Sequence, residues 1–151
     1  MIGSHWQSGP RRHRAGWRVC AVLFALLRMD AATPAASDAP IHIELNSAES
    51  VQNRCRLSFV VENKADTAID SLKLDLAVFG RDGAIERRLV VEMGPVRAAK
   101  TMVRAFDVET ECGQIGSILL NDVTASAPGD PGTCLDRLTL SSRPAAIRFY
   151  K

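Results

Sequence analysis

Leu72-Lys73-Leu74-Asp75-Leu76-Ala77-Val78-Phe79-Gly80-Arg81-Asp82-Gly83-Ala84-Ile85 is the stretch that decides the fold. Leu72, Leu74, Leu76 and Val78 recur every second residue, the period of a strand that buries one face. Gly80-Arg81-Asp82-Gly83 then supplies turn chemistry, and apolar residues resume at Ile85. A hairpin with a short loop follows from that order, joining Leu72–Phe79 to Ile85–Val91.

Upstream, Cys55, Leu57, Phe59 and Val61 alternate with Arg54, Arg56, Ser58, Val60 and Glu62, and Ile41, Ile43 and Leu45 alternate with His42 and Glu44. Each run carries one apolar stripe and one largely polar face, as antiparallel sheets wetted on one side require. Downstream, Gly94-Pro95 ends the second hairpin strand. Lys100–Val108 sets Met102, Arg104, Phe106 and Val108 against Thr101, Val103, Ala105 and Asp107, and either face could be the buried one. Ile115–Ala125 is apolar-rich, Pro128-Gly129-Asp130-Pro131-Gly132 reads as a loop, and Leu135–Leu140 and Ile147–Lys151 close the chain as strands. Arg87 shares the parity of Ile85, Leu89 and Val91, so an inward charge marks that strand as a sheet edge. Asn121-Asp122, after an apolar run, reads as a turn cap. Seven or eight short strands at this spacing predict an all-β, immunoglobulin-like antiparallel β-sandwich.

The first 36 residues have a different grammar. Arg11, Arg12, His13, Arg14 and Arg18 form a basic head, Val19–Leu27 an apolar run, and Ala31-Ala32-Thr33-Pro34-Ala35-Ala36 a small-residue segment. That order predicts a signal peptide over 1–36, cut within 32–37, leaving one domain over 37–151. The apolar run is too short to cross about 30 Å of hydrocarbon as a helix, so the mature chain is expected to hold no transmembrane segment. Arg11-Arg12 admits a twin-arginine (Tat) reading, but His13 and Arg14 stand where apolar residues should follow the pair, which favours the Sec route. Cys20 opens the apolar run instead of ending it, unlike a lipoprotein cysteine.

The formal charge of +2 divides unevenly, because five of the 19 basic residues lie in that leader. The remainder is slightly acidic, which argues against nucleic acid as a ligand. With 46% hydrophobic and 24% charged residues, the chain can bury a core and is not of disordered composition.

Export leaves Cys55, Cys112 and Cys134, for which three pairings are possible. Cys55–Cys112 is favoured: Cys55 falls on the inward face of a strand and Cys112 at a turn entering another. Such a link contributes up to about 4 kcal/mol in the chain-entropy picture.

Phe59-Val60-Val61-Glu62-Asn63, followed by Ile69-Asp70-Ser71-Leu72, Leu74 and Leu76, resembles the B–C region of fibronectin-like bacterial sandwiches. A broader resemblance, over 41–151, is to uncharacterised proteobacterial exported proteins labelled "Tat pathway signal sequence domain protein". It is carried by Ser71-Leu72-Lys73-Leu74-Asp75-Leu76, Phe79-Gly80-Arg81-Asp82-Gly83, Arg87-Arg88-Leu89, Leu119-Leu120-Asn121-Asp122-Val123 and Arg148-Phe149-Tyr150-Lys151. The resemblance implies a second bridge between the positions of Ser126 and Cys134. This chain has serine at the first, so Cys134 is expected to be a free thiol. The family implies export and architecture but no activity.

Candidate chemistry is sparse. His42 is the histidine any serine- or cysteine-based catalysis in the mature domain would need, and it alternates outward as an exposed structural residue. One histidine and three dispersed cysteines do not make a zinc or copper site. Asp122, Asp130 and Asp136 lie near the Pro-Gly loop but lack the alternating spacing of calcium loops. Asp107, Glu109 and Glu111 would share one face if extended, a carboxylate row that could in principle do acid–base work, and reads more simply as an exposed edge. No cofactor is expected. The expectation is a non-enzymatic periplasmic or secreted domain that binds another envelope protein or serves as a structural accessory. A small-molecule, glycan or metal carrier is the alternative, and a thiol-dependent or other enzyme comes third.

Overall fold

The computed structural model describes residues 40–151, so the expected leader and its cleavage point lie outside the described residues. Eight strands form two four-stranded sheets. They are β1 (Ile41–Val51), β2 (Arg54–Asn63), β3 (Ser71–Gly80), β4 (Ile85–Glu92), β5 (Lys100–Val108), β6 (Ile115–Ala127), β7 (Leu138–Ser142) and β8 (Arg148–Tyr150). One sheet has the order β5-β2-β1-β7 and the other β4-β3-β6-β8. The chain is an all-β sandwich.

The alternating stripes become the two inner faces. Ile41, Ile43 and Leu45 of β1 and Cys55, Leu57, Phe59 and Val61 of β2 meet Leu72, Leu74, Leu76 and Val78 of β3 and Ile118, Leu120 and Val123 of β6. Each fully buried Leu, Ile or Phe is worth about 1.5–3 kcal/mol in area bookkeeping. Phe59 anchors the centre, its ring 6.2 Å from that of Phe106 and 5.5 Å from that of Phe149. On β5 the buried side is thereby decided: Phe106 and Met102 pack on the core, while Val103 is 61% exposed.

The β3–β4 hairpin forms as its residues require. Gly83 takes φ 82°, which a side chain would resist, and its N–H reaches the Gly80 carbonyl at 3.0 Å. The Asp82 carboxylate accepts from the Ala84 N–H at 3.0 Å. β4 is an edge, as its Arg87 suggested. The shared parity of Ile85 with Leu89 and Val91, however, does not survive. A register shift between Val78 and Phe79 sets Ile85 opposite Phe79, away from the core, and leaves Ile85 63% exposed.

Three further readings need correction. The pairing is antiparallel except at two places: β7 runs parallel to β1, and β8 parallel to β6. Pro131–Arg137 is a short helix, α1, where the sequence reads as loop running into strand, and β7 starts only at Leu138. The local signal is a capped helix start: Asp130 accepts from the Thr133 N–H at 3.1 Å, and Pro131, which lacks an N–H, sits where none is needed. Asn121-Asp122 caps no turn. The β3–β6 register shifts between Asp75/Asp122 and Leu76/Leu120, so Asn121 is the extra residue of a bulge that returns Val123 to the core.

Candidate functional site

Cys55 and Cys112 form a disulfide with Cα atoms 4.7 Å apart. Cys55 opens β2 of one sheet, and Cys112 lies in a 3₁₀ turn, Cys112–Gln114, that leads into β6 of the other, so the bond ties the two layers together. It closes a separation of 57 residues, worth up to about 4 kcal/mol by restricting the unfolded chain. A structural disulfide points to an oxidising, extracytoplasmic compartment. Cys134, on α1, is unpaired and only 5% exposed within the core. Among the described residues no helix is long and apolar enough to cross a membrane.

The structure disperses the other sequence candidates. His42 lies on the outer face of β1, with Nδ1 3.1 Å from the Thr139 hydroxyl and Nε2 3.0 Å from that of Ser141. The register explains this, because β7 sets Thr139 and Ser141 opposite His42 and Glu44. A serine nucleophile needs a base oriented by a carboxylate. Here a threonine hydroxyl occupies that position, and the neighbouring Glu44 is engaged by the Asn46 amide at 2.7 Å and Arg143 at 3.1 Å. Those two hydrogen bonds, Asn46 first, hold the Glu44 carboxyl below its usual range.

The acidic row of Asp107, Glu109 and Glu111 is likewise divided. Asp107 takes a bidentate pair from Arg56, at 2.8 and 3.1 Å, and this hydrogen bonding lowers its pKa. Arg54 reaches Glu109 at 3.4 Å. Asp130 caps α1, Asp122 accepts from the Val123 N–H at 2.8 Å, and the carbonyl of Asp136 faces Lys151. Among the described residues no three His, Cys, Asp or Glu side chains gather to hold a metal ion.

Two features were not visible beforehand. The first is a polar knot on the outer face of the β3 sheet. Asp75, 6% exposed, is gripped by Arg88 through both carboxylate oxygens and by the Asn121 amide at 2.7 Å. Hydrogen bonding from Arg88, aided by Asn121 and opposed by burial, holds the Asp75 carboxyl below the usual carboxylate range. Arg88 and Asp75 lie on paired strands, but nothing in the chain order announces Asn121, which only the bulge delivers.

The second is the flank where β4 and β5, each the edge of its sheet, run beside one another. A cleft of about 260 Å³ is walled by Arg87, Arg88, Leu89, Asp107, Val108 and Glu109. Further along β5, one of about 380 Å³ is walled by Pro95, Arg97, Lys100, Thr101, Met102 and Arg104. Arg104 donates to the carbonyls of Gly94, at 3.2 Å, and Pro95, at 3.4 Å, which pins the β4–β5 connection to the edge strand. Arg87 reaches the Glu109 carbonyl at 3.4 Å. The flank's carboxylates, Asp107 and Glu109, are already paired with Arg56 and Arg54. Arg87, Arg97, Lys100 and Arg104 thus face the flank with no carboxylate partner among the described residues. Sequence reading missed this because the four cations come from three separate segments that only the sandwich assembles.

No family model matches the chain, and no curated protein matches it in sequence. Among solved structures, that of IrmA from Escherichia coli is similar in backbone, with a TM-score of 0.48 and 16% identity over 67% of this chain and 90% of that one.

Proposed function

We propose that this chain is an exported, non-enzymatic envelope domain, immunoglobulin-like in kind, that binds another protein or serves as a structural accessory in the periplasm or outside the cell. The observation that carries this reading is the flank: an edge strand that, among the described residues, is unpaired on one side and bordered by cations without carboxylate partners. Edge backbone groups are ready-made hydrogen-bonding sites for another chain. The basic-apolar-small order of 1–36 and the Cys55–Cys112 bond support export, Sec and Tat being its two routes. The dispersal of His42, Cys134 and the acidic residues supports a role without catalysis, since reactive groups must converge to act.

Crosslinking in intact cells followed by affinity capture from the envelope tests the proposal. Reproducible recovery of a second protein crosslinked to the flank supports it; recovery of the bare protein in every growth condition overturns it. The second reading, a carrier of a small organic anion, is favoured by the mixed cationic and apolar wall of the larger cleft, with Arg97, Lys100 and Arg104 beside Pro95 and Met102. Native mass spectrometry of protein taken from its own host would detect the added mass of such a ligand.

A further inference from the structure

Of the four edge strands, β5 is the most open to pairing. All nine of its residues are in register with β2, from Val108 opposite Cys55 to Lys100 opposite Asn63, without a shift. A ladder that regular on one side presents an equally regular row of N–H and C=O groups on the other. The remaining edges are poorer templates: β8 has three residues, β7 five, and β4 is broken by the shift near Phe79.

The chemistry around β5 narrows what could join it. Lys100, Met102 and Arg104 share the inward parity of β5, Arg97 stands in the connection beside them, and Arg87 lies across the cleft at the far end. On the outward parity Val103 is 61% exposed. A strand laid along β5 would alternate in the same way, one side chain toward the cations and the next beside Val103. We infer that the β5 edge receives an acidic, extended segment of a partner protein as an added strand, its carboxylates facing Arg87, Arg97, Lys100 and Arg104 and its apolar residues lying beside Val103. This inference rests on the reading of the chain as a binding domain.

A second copy of this chain fits less well. Antiparallel β5–β5 pairing centred on Arg104 would set that cation opposite its own copy, and like charges directly opposite one another are destabilising. Nucleic acid fits less well too, because the domain beyond the flank is slightly acidic and would repel a phosphate backbone.

The test uses the protein as purified from cells and a fluorescein-labelled peptide of alternating glutamate and valine, about the length of an ordinary strand. Fluorescence anisotropy should report binding that weakens with added salt, and hydrogen exchange should slow at the β5 amides. The double variant Arg97→Glu with Lys100→Glu, both on exposed positions, should fold as wild type by circular dichroism and bind at least about tenfold more weakly, since rim charges now repel the peptide. The same peptide methylated on its backbone nitrogens keeps its charges but cannot join a ladder, so it should not bind.

Failure of the glutamate–valine peptide to bind, or equal binding by its methylated form, overturns the inference. So does concentration-dependent dimerisation that protects β5 in the absence of peptide, which would make the occupant a second copy. Envelope capture with wild type and the double variant separates the two levels. A partner held equally by both, with crosslinks away from β5, defeats this inference and leaves the binding domain standing; no partner with either defeats the binding reading itself.

Discussion

Asn121 donates a 2.7 Å hydrogen bond to the same Asp75 oxygen that Arg88 holds, although Asn121 lies 46 residues further along the chain. The bulge in β6 makes this possible, since the regular strand pairs Asp75 with Asp122 and leaves Asn121 over. The bulge thus supplies an amide where strict pairing would have brought a second carboxylate alone. Replacing Asp75 with alanine removes the hydrogen bonds from Arg88 and Asn121, both exposed enough to turn to water, and should cost about 1 kcal/mol, with Asn121→Ala costing less. Urea unfolding monitored by circular dichroism would measure both.

The same carboxylate governs part of the acid response. Its pKa is lowered on folding, chiefly by hydrogen bonding from Arg88, so the folded state prefers it ionised. The resulting stabilisation is complete above the unfolded carboxyl's pKa, near 4, and is lost as pH falls through the lower folded value. Stability of the wild type should therefore decline more steeply below about pH 4 than that of Asp75→Asn, whose amide does not titrate in this range. Urea midpoints measured on both sides of that pH would test it; parallel curves would disprove it.

Reduction of Cys55–Cys112 should lower stability by up to about 4 kcal/mol and shift the thermal midpoint down. Because the bond also ties β2 to the turn before β6, its loss should give faster hydrogen exchange in β2 and β6 than in the β3–β4 hairpin. Calorimetry with and without reductant, and exchange on the Cys55→Ser variant, address the two parts.

Cys134 should be inert to thiol reagents in the native state and react only on unfolding, because it is 5% exposed within the core. Cys134→Ser buries a hydroxyl in its place and should cost about 1–3 kcal/mol, whereas Cys134→Ala should be milder. Stopped-flow labelling against urea concentration would follow both reactivity and stability.

Asp130→Ala removes the cap of α1 and should destabilise by about 1 kcal/mol, and should leave the β4–β5 flank unchanged. Thermal melts beside the anisotropy assay would show the two effects to be separable.

Much of the sandwich was legible because it is written in local periodicity. Leu72 through Val78 and Cys55 through Val61 alternate cleanly, and Cys55 could be matched with Cys112 from one inward position and one turn. What escaped is either masked by residue type or non-local. Proline and glycine at 128–132 obscured a helix whose start was signalled by Asp130 and Pro131. Ile85 obeys the parity of its strand by number and not in space, because a single register shift intervenes. The parallel placement of β7 and β8 is a choice of tertiary pairing that alternation alone does not encode. The flank escaped for a related reason: Arg104 breaks the apolar stripe of β5 and makes it ambiguous, and its role is visible only once the carbonyls of Gly94 and Pro95 are brought against it.

Leu138 lies alongside Ile41, the first residue of β1, across 97 positions of chain. The sheet that holds β1 therefore remains a strand short until the chain beyond Leu138 has emerged. A ribosome-bound or partly translocated chain would carry β1 with a raw side, vulnerable to the wrong neighbour. Such a topology rewards delivery of β7 before the rest settles, and any truncation short of Ser142 would leave β1 without its second neighbour.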